Sequence, residues 1–286
     1  MRKGGVPVGA PPFAMHAGSC SYSDDVTKLL VGLDIDGTTI HYDGHASDRV
    51  RKAVSETIAA GHEVVIATGR SVTGTMPIVE LLGLEAGYLV CSNGAVTAQI
   101  DPQEPHGYRL IDSITFDPRP VLDRLKGAWP DGLVAIEVIG EGYLVSDHFP
   151  DGELVGEVRV VPWEELAQPT TRITFRSPSG TAEQFVELAE GLGLHGVNYG
   201  VGYTAWLDIN PEGVSKAFAL EKIRKHLEID LADTVAVGDH RNDLEMLTWA
   251  GRGVAMGQAP DDVKAVANEV TGTVEEDGLA QVLESL

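Results

Sequence analysis

Buried-strand runs and helix-spaced apolar positions alternate along the first third of the chain. Leu29-Leu30-Val31-Gly32-Leu33 is continuously apolar and stops at Asp34, the pattern of a strand covered on both faces of a parallel sheet. Ser47 and Asp48 offer a helix N-cap, Val50, Ala53, Val54, Thr57 and Ile58 recur at helical spacing, and Gly61 supplies a stop. Val64-Val65-Ile66-Ala67 predicts a second strand, residues from about Met76 to Leu82 a second helix, and Tyr88-Leu89-Val90-Cys91 a third strand. Such alternation predicts right-handed crossovers and a doubly wound, Rossmann-like parallel sheet of the α/β class.

The rhythm changes after residue 96. Strand-like stretches near 109–115, 133–138, 142–146 and 171–175 are accompanied by helices near 119–126 and 181–191 and by turns such as Asp117-Pro118, Pro130-Asp131-Gly132 and Pro150-Asp151-Gly152. Consecutive strands here read as antiparallel, so 97–203 is expected to be an inserted α+β domain, with 26–96 and 204–286 forming one interrupted core. From Gly213 the parallel pattern resumes, with a helix carrying Ala217, Leu220, Ile223 and Leu227, the strand Thr234-Val235-Ala236-Val237-Gly238, and further strands near 252–256 and 269–271. Met1 to Asp25 lacks the apolar run of at least about seven residues that a secretory signal needs, and reads as a disordered leader.

Composition excludes several partner classes. The 21 Lys and Arg against 43 Asp and Glu give a net charge of −22, which repels nucleic acid and anionic membrane surfaces. No apolar stretch approaches the roughly 20 residues of a membrane span. Two cysteines, Cys20 and Cys91, suit a reducing cytoplasm. The expectation is a cytoplasmic monomer or small homo-oligomer.

Ligands of open parallel sheets lie at the carboxyl ends of the strands, and three such ends are unusually polar: Asp34-Ile35-Asp36-Gly37-Thr38, Thr68-Gly69-Arg70 and Asp239-His240-Arg241-Asn242-Asp243. Carboxylates converging from neighbouring strand ends suit a hard, oxygen-preferring divalent cation such as Mg²⁺. His41 and His45 flank Asp43-Gly44 in an expected hairpin flap, with the surrounding oxygen-rich residues arguing against zinc. Cys91 reads as a small buried hydrophobe.

In order and spacing these segments resemble the haloacid dehalogenase superfamily of aspartyl-phosphate phosphohydrolases. Asp34 to Thr38 matches the first motif, Thr68-Gly69-Arg70 the second, Lys216 the third, and Gly238-Asp239 with Asn242-Asp243 the fourth. Ser92-Asn93-Gly94-Ala95 and Pro211 to Lys216 are similar to the Cof-type branch, whose cap is inserted between the second and third motifs. The resemblance implies a Mg²⁺-dependent phosphomonoesterase for a small phosphorylated metabolite, a sugar phosphate or phosphorylated cofactor. Asp34 is then the nucleophile and Asp36 the general acid/base. Asp34, Asp239, Asp243 and the Asp36 backbone carbonyl bind the metal. Thr68, Gly69, Lys216, Asn242 and backbone N–H groups near Gly37 cradle the phosphoryl group, and Arg70 and Asn93 face substrate. A phosphomutase or phosphotransferase using the same intermediate stays open, as does a non-catalytic protein that binds phosphorylated ligands.

Overall fold

In a computed structural model the protein is described over residues 27–128, 131–177, 197–201 and 205–286. The expected leader and the expected helix at 181–191 lie outside these residues.

The first sheet contains β1 (Leu30–Leu33), β2 (Glu63–Ala67), β3 (Tyr88–Cys91), β4 (Val96–Ile100), β5 (Tyr108–Ser113), β12 (Thr234–Gly238), β13 (Arg252–Ala255) and β14 (Glu269–Val270). Its spatial order is β14-β13-β12-β1-β2-β3-β4-β5. Neighbours from β14 to β3 pair in parallel, while β3–β4 and β4–β5 are antiparallel. The pleat sends alternate residues to opposite faces. Val31, Leu33, Val64, Ile66 and Leu89 enter one core with α1 (Asp48–Ala59) and α2 (Val72–Leu82). Leu30, Val65, Ala67 and Val90 enter a second core with α4 (Lys216–His226) and α5 (Leu244–Trp249). Both faces are covered, which is why these strands read as unbroken apolar runs.

Local signals act as expected at α1, where the Ser47 hydroxyl accepts from the Val50 N–H at 3.1 Å. Helix α2 begins four residues earlier than the periodicity predicts, because Ser71 caps it through the Gly74 N–H at 3.1 Å. Gly74 and Pro77 within its turns conceal the start.

The second sheet has the order β10-β11-β9-β6-β7-β8, from β6 (Leu133–Val138), β7 (Gly142–Val145), β8 (Glu157–Val160), β9 (Ile173–Ser177), β10 (Val197–Val201) and β11 (Ala205–Ile209). All its pairings are antiparallel except β7–β8, which is parallel and departs from the expected pattern. One face packs on α3 (Arg119–Ala128), with Leu122, Leu125, Ile136, Phe175 and Leu207 fully or almost fully buried. Two boundaries expected from sequence are corrected. Strands β4 and β5 fall in the expected insertion, yet they hydrogen-bond to the first sheet, because β4 turns back on β3 directly after the Ser92–Gly94 turn. At the other end β11 lies beyond residue 203 but pairs with β9 and β10, so the second sheet runs to Ile209.

Candidate active site

Strands β1 and β12 are hydrogen-bonded neighbours, with Leu33 opposite Val237. Asp34 and Asp239, the residues that follow or nearly follow them, therefore leave the sheet side by side. Asp243 joins them from the short turn after β12. Its Oδ2 accepts the backbone N–H groups of Asp239 at 3.0 Å and His240 at 2.9 Å, which fixes the turn. Asp34, Asp239 and Asp243 are buried, and each offers an oxygen within 4.8 Å of the others'. Lys216, at the first turn of α4 and fully buried, donates to Asp34 Oδ1 and Asp243 Oδ1, both at 2.6 Å.

Three carboxylates around one ammonium leave negative charge uncompensated. Burial works against the Lys216 charge, but Asp243 and Asp34 outweigh it and hold its pKa above the usual lysine value. Burial raises the pKa of Asp34, and Lys216 only partly opposes it while Asp243 and Asp239 add to the rise. Asp239 is pushed up to about 6 by burial and then by Asp243. Its Oδ1 is buried and has no hydrogen-bond partner among the described residues. A buried carboxylate oxygen without a donor is costly, and an all-oxygen cluster of this kind fits a hard divalent cation. The cluster passes that test on its own geometry.

Two residues that the sequence did not single out complete it. Tyr42 donates its hydroxyl to Asp239 Oδ2 at 2.9 Å, and Gln258 Nε2 donates to the Gly37 carbonyl at 2.6 Å and to Asp239 Oδ2 at 3.3 Å. Tyr42 lies in the expected His41–His45 flap, whose imidazoles stack at 4.1 Å while His45 pairs with Asp43. Gln258 follows the carboxyl end of β13, the position that marked the other candidates. Gly37 has φ +78°, and a Cβ there would stand 2.3 Å from Asp239 Oδ2 and 2.7 Å from the Tyr42 hydroxyl. Only glycine fits.

The remaining candidates are placed as follows. Asp36 points away from the carboxylate trio to Arg70, which donates Nε to its Oδ2 at 2.8 Å and Nη2 to its Oδ1 at 2.5 Å. Arg70, expected to face substrate, thus holds the expected acid/base in a two-pronged pair. Thr68 is fully buried, and its hydroxyl accepts the Arg70 N–H at 3.1 Å, closing the turn after β2. Gly69 gives its carbonyl to Arg172 of the second sheet. The Gly37 N–H donates to the Ile40 carbonyl at 2.9 Å, closing the turn after Asp34, and the Asn242 amide gives one of its two N–H groups to Asn93 Oδ1 at 3.2 Å. Asn93, with φ +54°, donates in turn to Asn210 Oδ1 at 3.1 Å. Its amide therefore links the turn after β12 to the end of β11. Burial pushes the Cys91 thiol up to about 12, in keeping with an inert, packed side chain.

Comparisons with known proteins follow the same lines. The haloacid dehalogenase-like hydrolase family matches residues 31–124 and 162–283. The chain is 29% identical over 273 residues to the 5-amino-6-(5-phospho-D-ribitylamino)uracil phosphatase YitU of Bacillus subtilis (strain 168), covering 91% of this chain and 97% of that one. It is 28% identical over 287 residues to the pyridoxal phosphate phosphatase YbhA of Escherichia coli (strain K12), covering 91% and 99%. Among solved structures, that of BT1666 from Bacteroides thetaiotaomicron, a phosphatase of the same superfamily, superposes with a TM-score of 0.73 at 25% identity, covering 94% and 98%.

Proposed function

The chain belongs to the haloacid dehalogenase-like hydrolases as a Cof-type phosphatase, and on that premise we propose that it is a Mg²⁺-dependent phosphomonoester hydrolase working through an aspartyl-phosphate on Asp34. The observation that carries this reading is the buried trio of Asp34, Asp239 and Asp243 around Lys216, with Asp239 Oδ1 left without a donor among the described residues.

Asp34 Oδ attacks phosphorus, the bond to the leaving oxygen breaks, and Asp36 delivers the proton that oxygen needs. Asp36 then takes a proton from the water that attacks the aspartyl-phosphate, releasing inorganic phosphate and restoring Asp34. Lys216 sits against the nucleophile, where its charge offsets that gathering on the phosphoryl oxygens. Asp34, Asp239 and Asp243, with the Asp36 backbone carbonyl, would hold Mg²⁺, which supplies charge neutralisation of the phosphoryl group when bound. Both Asp36 oxygens accept from Arg70 in the resting site, so this pair opens before Asp36, having taken up a proton, turns to the leaving oxygen. Thr68 and Gly69 form the wall beside the phosphoryl group, and Asn93 with Asn242 brace that wall.

The substrates that the names of YitU and YbhA give, 5-amino-6-(5-phospho-D-ribitylamino)uracil and pyridoxal phosphate, support a small phosphorylated metabolite as substrate here. The phosphatase names of these relatives support transfer to water over transfer to a second sugar. Phosphate release from sugar phosphates, pyridoxal phosphate and an aryl phosphate, with Mg²⁺ and with EDTA, tests the reading. Release that needs Mg²⁺ and is abolished by Asp34→Asn, in a variant that still unfolds cooperatively, is the expected outcome. Undiminished release by Asp34→Asn would sink it.

A further inference from the structure

The second sheet has an apolar face on α3 and an opposite face where buried polar residues lie beside a small apolar cluster of Ala135, Tyr143 and Val145. Along each strand the pleat alternates the two. Ile136 faces the core and Glu137 the other side; so do Leu144 and Tyr143, Ile173 and Thr174, and Leu207 and Asp208. Glu137, Tyr143, Arg172 and Asp208 are only 4%, 5%, 5% and 7% exposed. Their buried face meets the active-site wall, because Arg172 Nη1 donates to the Gly69 carbonyl and Ser92 Oγ donates to Glu137 Oε2 at 2.6 Å. Gly69 and Ser92 both flank the site, with the Ser92 N–H bonded to the Arg70 carbonyl at 2.8 Å.

Burying two carboxylates and one guanidinium there is costly unless every group is satisfied. Arg172 donates through its Nη atoms to the Gly69 carbonyl, the Tyr143 hydroxyl and Asp208, and its Nε, which makes no hydrogen bond among the described residues, lies 3.5 Å from Glu137 Oε2 as an ion pair. Glu137 Oε2 receives both Ser92 and the Thr171 hydroxyl, the latter at 3.1 Å, but its Oε1 has no hydrogen-bond partner among the described residues. A buried acceptor held by three elements and left without a donor among the described residues, beside the phosphoryl wall, is suited to a donor on the substrate. Arg172 is held by these protein groups, and Arg176, on the same face of β9, pairs with Glu153 at 3.0 Å, so with Glu137 and Asp208 the face offers acceptors and a net negative formal charge.

Building on the phosphatase reading, we propose that Glu137, supported by Asp208, recognises the leaving group, and that the substrate is a phosphomonoester whose leaving group carries hydroxyl or amino donors and no second anionic group. Sites that bury an acceptor for a substrate donor reject the analogue lacking it far more strongly than apolar pockets reject a missing methylene. The test compares kcat/KM for sorbitol 6-phosphate, hexyl phosphate and fructose 1,6-bisphosphate, with 4-nitrophenyl phosphate as reference. The parent protein is expected to favour sorbitol 6-phosphate over hexyl phosphate by at least about tenfold, and over the bisphosphate as well. Glu137→Gln is expected to bring the sorbitol-to-hexyl ratio to within about threefold, and Asp208→Asn to move it the same way, with far-UV circular dichroism and thermal unfolding reporting the fold of each. No preference in the parent, or equal losses on sorbitol and hexyl phosphates in both variants, would overturn the inference alone, since a purely structural contact lowers every substrate together. Absence of release from all four phosphates would overturn the phosphatase reading and this inference with it.

Discussion

Lys216 is the residue on which the electrostatics of the site turn. It is the only cation in contact with the buried Asp34 and Asp243 among the described residues, so Lys216→Met leaves two carboxylates facing each other without compensation. Removing one partner of a buried ion pair costs roughly 3 kcal/mol or more, and a lost charge at the reacting centre costs about a hundredfold in rate. Thermal unfolding and phosphate release should both show the damage, with excess Mg²⁺ restoring part of the stability and little of the rate; an unchanged unfolding temperature would contradict the ion-pair account. Much of this was readable at the residue scale. Asp34 and Asp239 stand out because they directly follow apolar runs, and Asp243 because it closes the polar stretch that Asp239 opens. What spacing could not reveal is how each hydrogen-bonding group is used. The Gly37 N–H is a donor by chemistry but is spent on the Ile40 carbonyl, and the Asn242 amide spends one of its two N–H groups on Asn93. Tyr42 and Gln258 reach Asp239 from 197 and 19 residues away in sequence, a proximity that only the folded chain creates.

Elements deliver these residues, and the Ser92–Gly94 turn shows how tightly. Gly94 has φ +97°, and a Cβ there would lie 2.1 Å from the Ser215 carbonyl oxygen. Ser215 caps α4 by accepting the Phe218 N–H at 3.3 Å, and Lys216 follows it directly. Gly94→Ala must therefore push the start of α4, and Lys216 with it, away from Asp34. A loss of about 2 kcal/mol or more is expected, from backbone strain and overpacking together, with a larger proportional fall in kcat than in substrate affinity. Ser215→Ala, which removes only the cap, should cost about 1 kcal/mol. Comparing the two by chemical denaturation checks the argument, and equal costs would contradict it. Strand and helix identities in the core were legible because both sheet faces are covered and the apolar runs are long. Sheet membership was not: β4 and β5 alternate like strands of either sheet, and only pairing with β3 assigns them. Strand β8 is absent from the sequence reading because Glu157-Val158-Arg159-Val160 alternates over only four residues and its apolar positions, Val158 and Val160, stay exposed and mark no buried face.

For the molecule as a whole, the proposed cation would couple chemistry to stability. A Mg²⁺ ion bound only by the folded chain stabilises it by mass action, and it must displace the proton that Asp239 holds with a pKa of about 6. Without metal, the raised pKa of Asp239 contributes stability that is complete below its ordinary value of 3.8 and is gone once the pH has risen through about 6. Asp34 shifts in the same direction. The difference in unfolding temperature with and without Mg²⁺ should therefore be large at pH 7.5 and shrink progressively below about 6, a comparison in which the other titrating groups largely cancel. A difference that grew on acidification would contradict the assignment of Asp239 as a ligand. The polar face of the second sheet was the part least legible in advance, since Glu137, Arg172 and Asp208 come from strands far apart in sequence and each alone reads as an ordinary surface charge. The covalent step on Asp34 is the centre of the account, and it is tested most directly by acid-quenching the protein during turnover with Mg²⁺ and a substrate it hydrolyses, then mapping its peptides by mass spectrometry. One phosphoryl group on the peptide at Asp34, absent from Asp34→Asn, is the predicted result; steady turnover by Asp34→Asn, or a phosphoryl group on another residue, would contradict it.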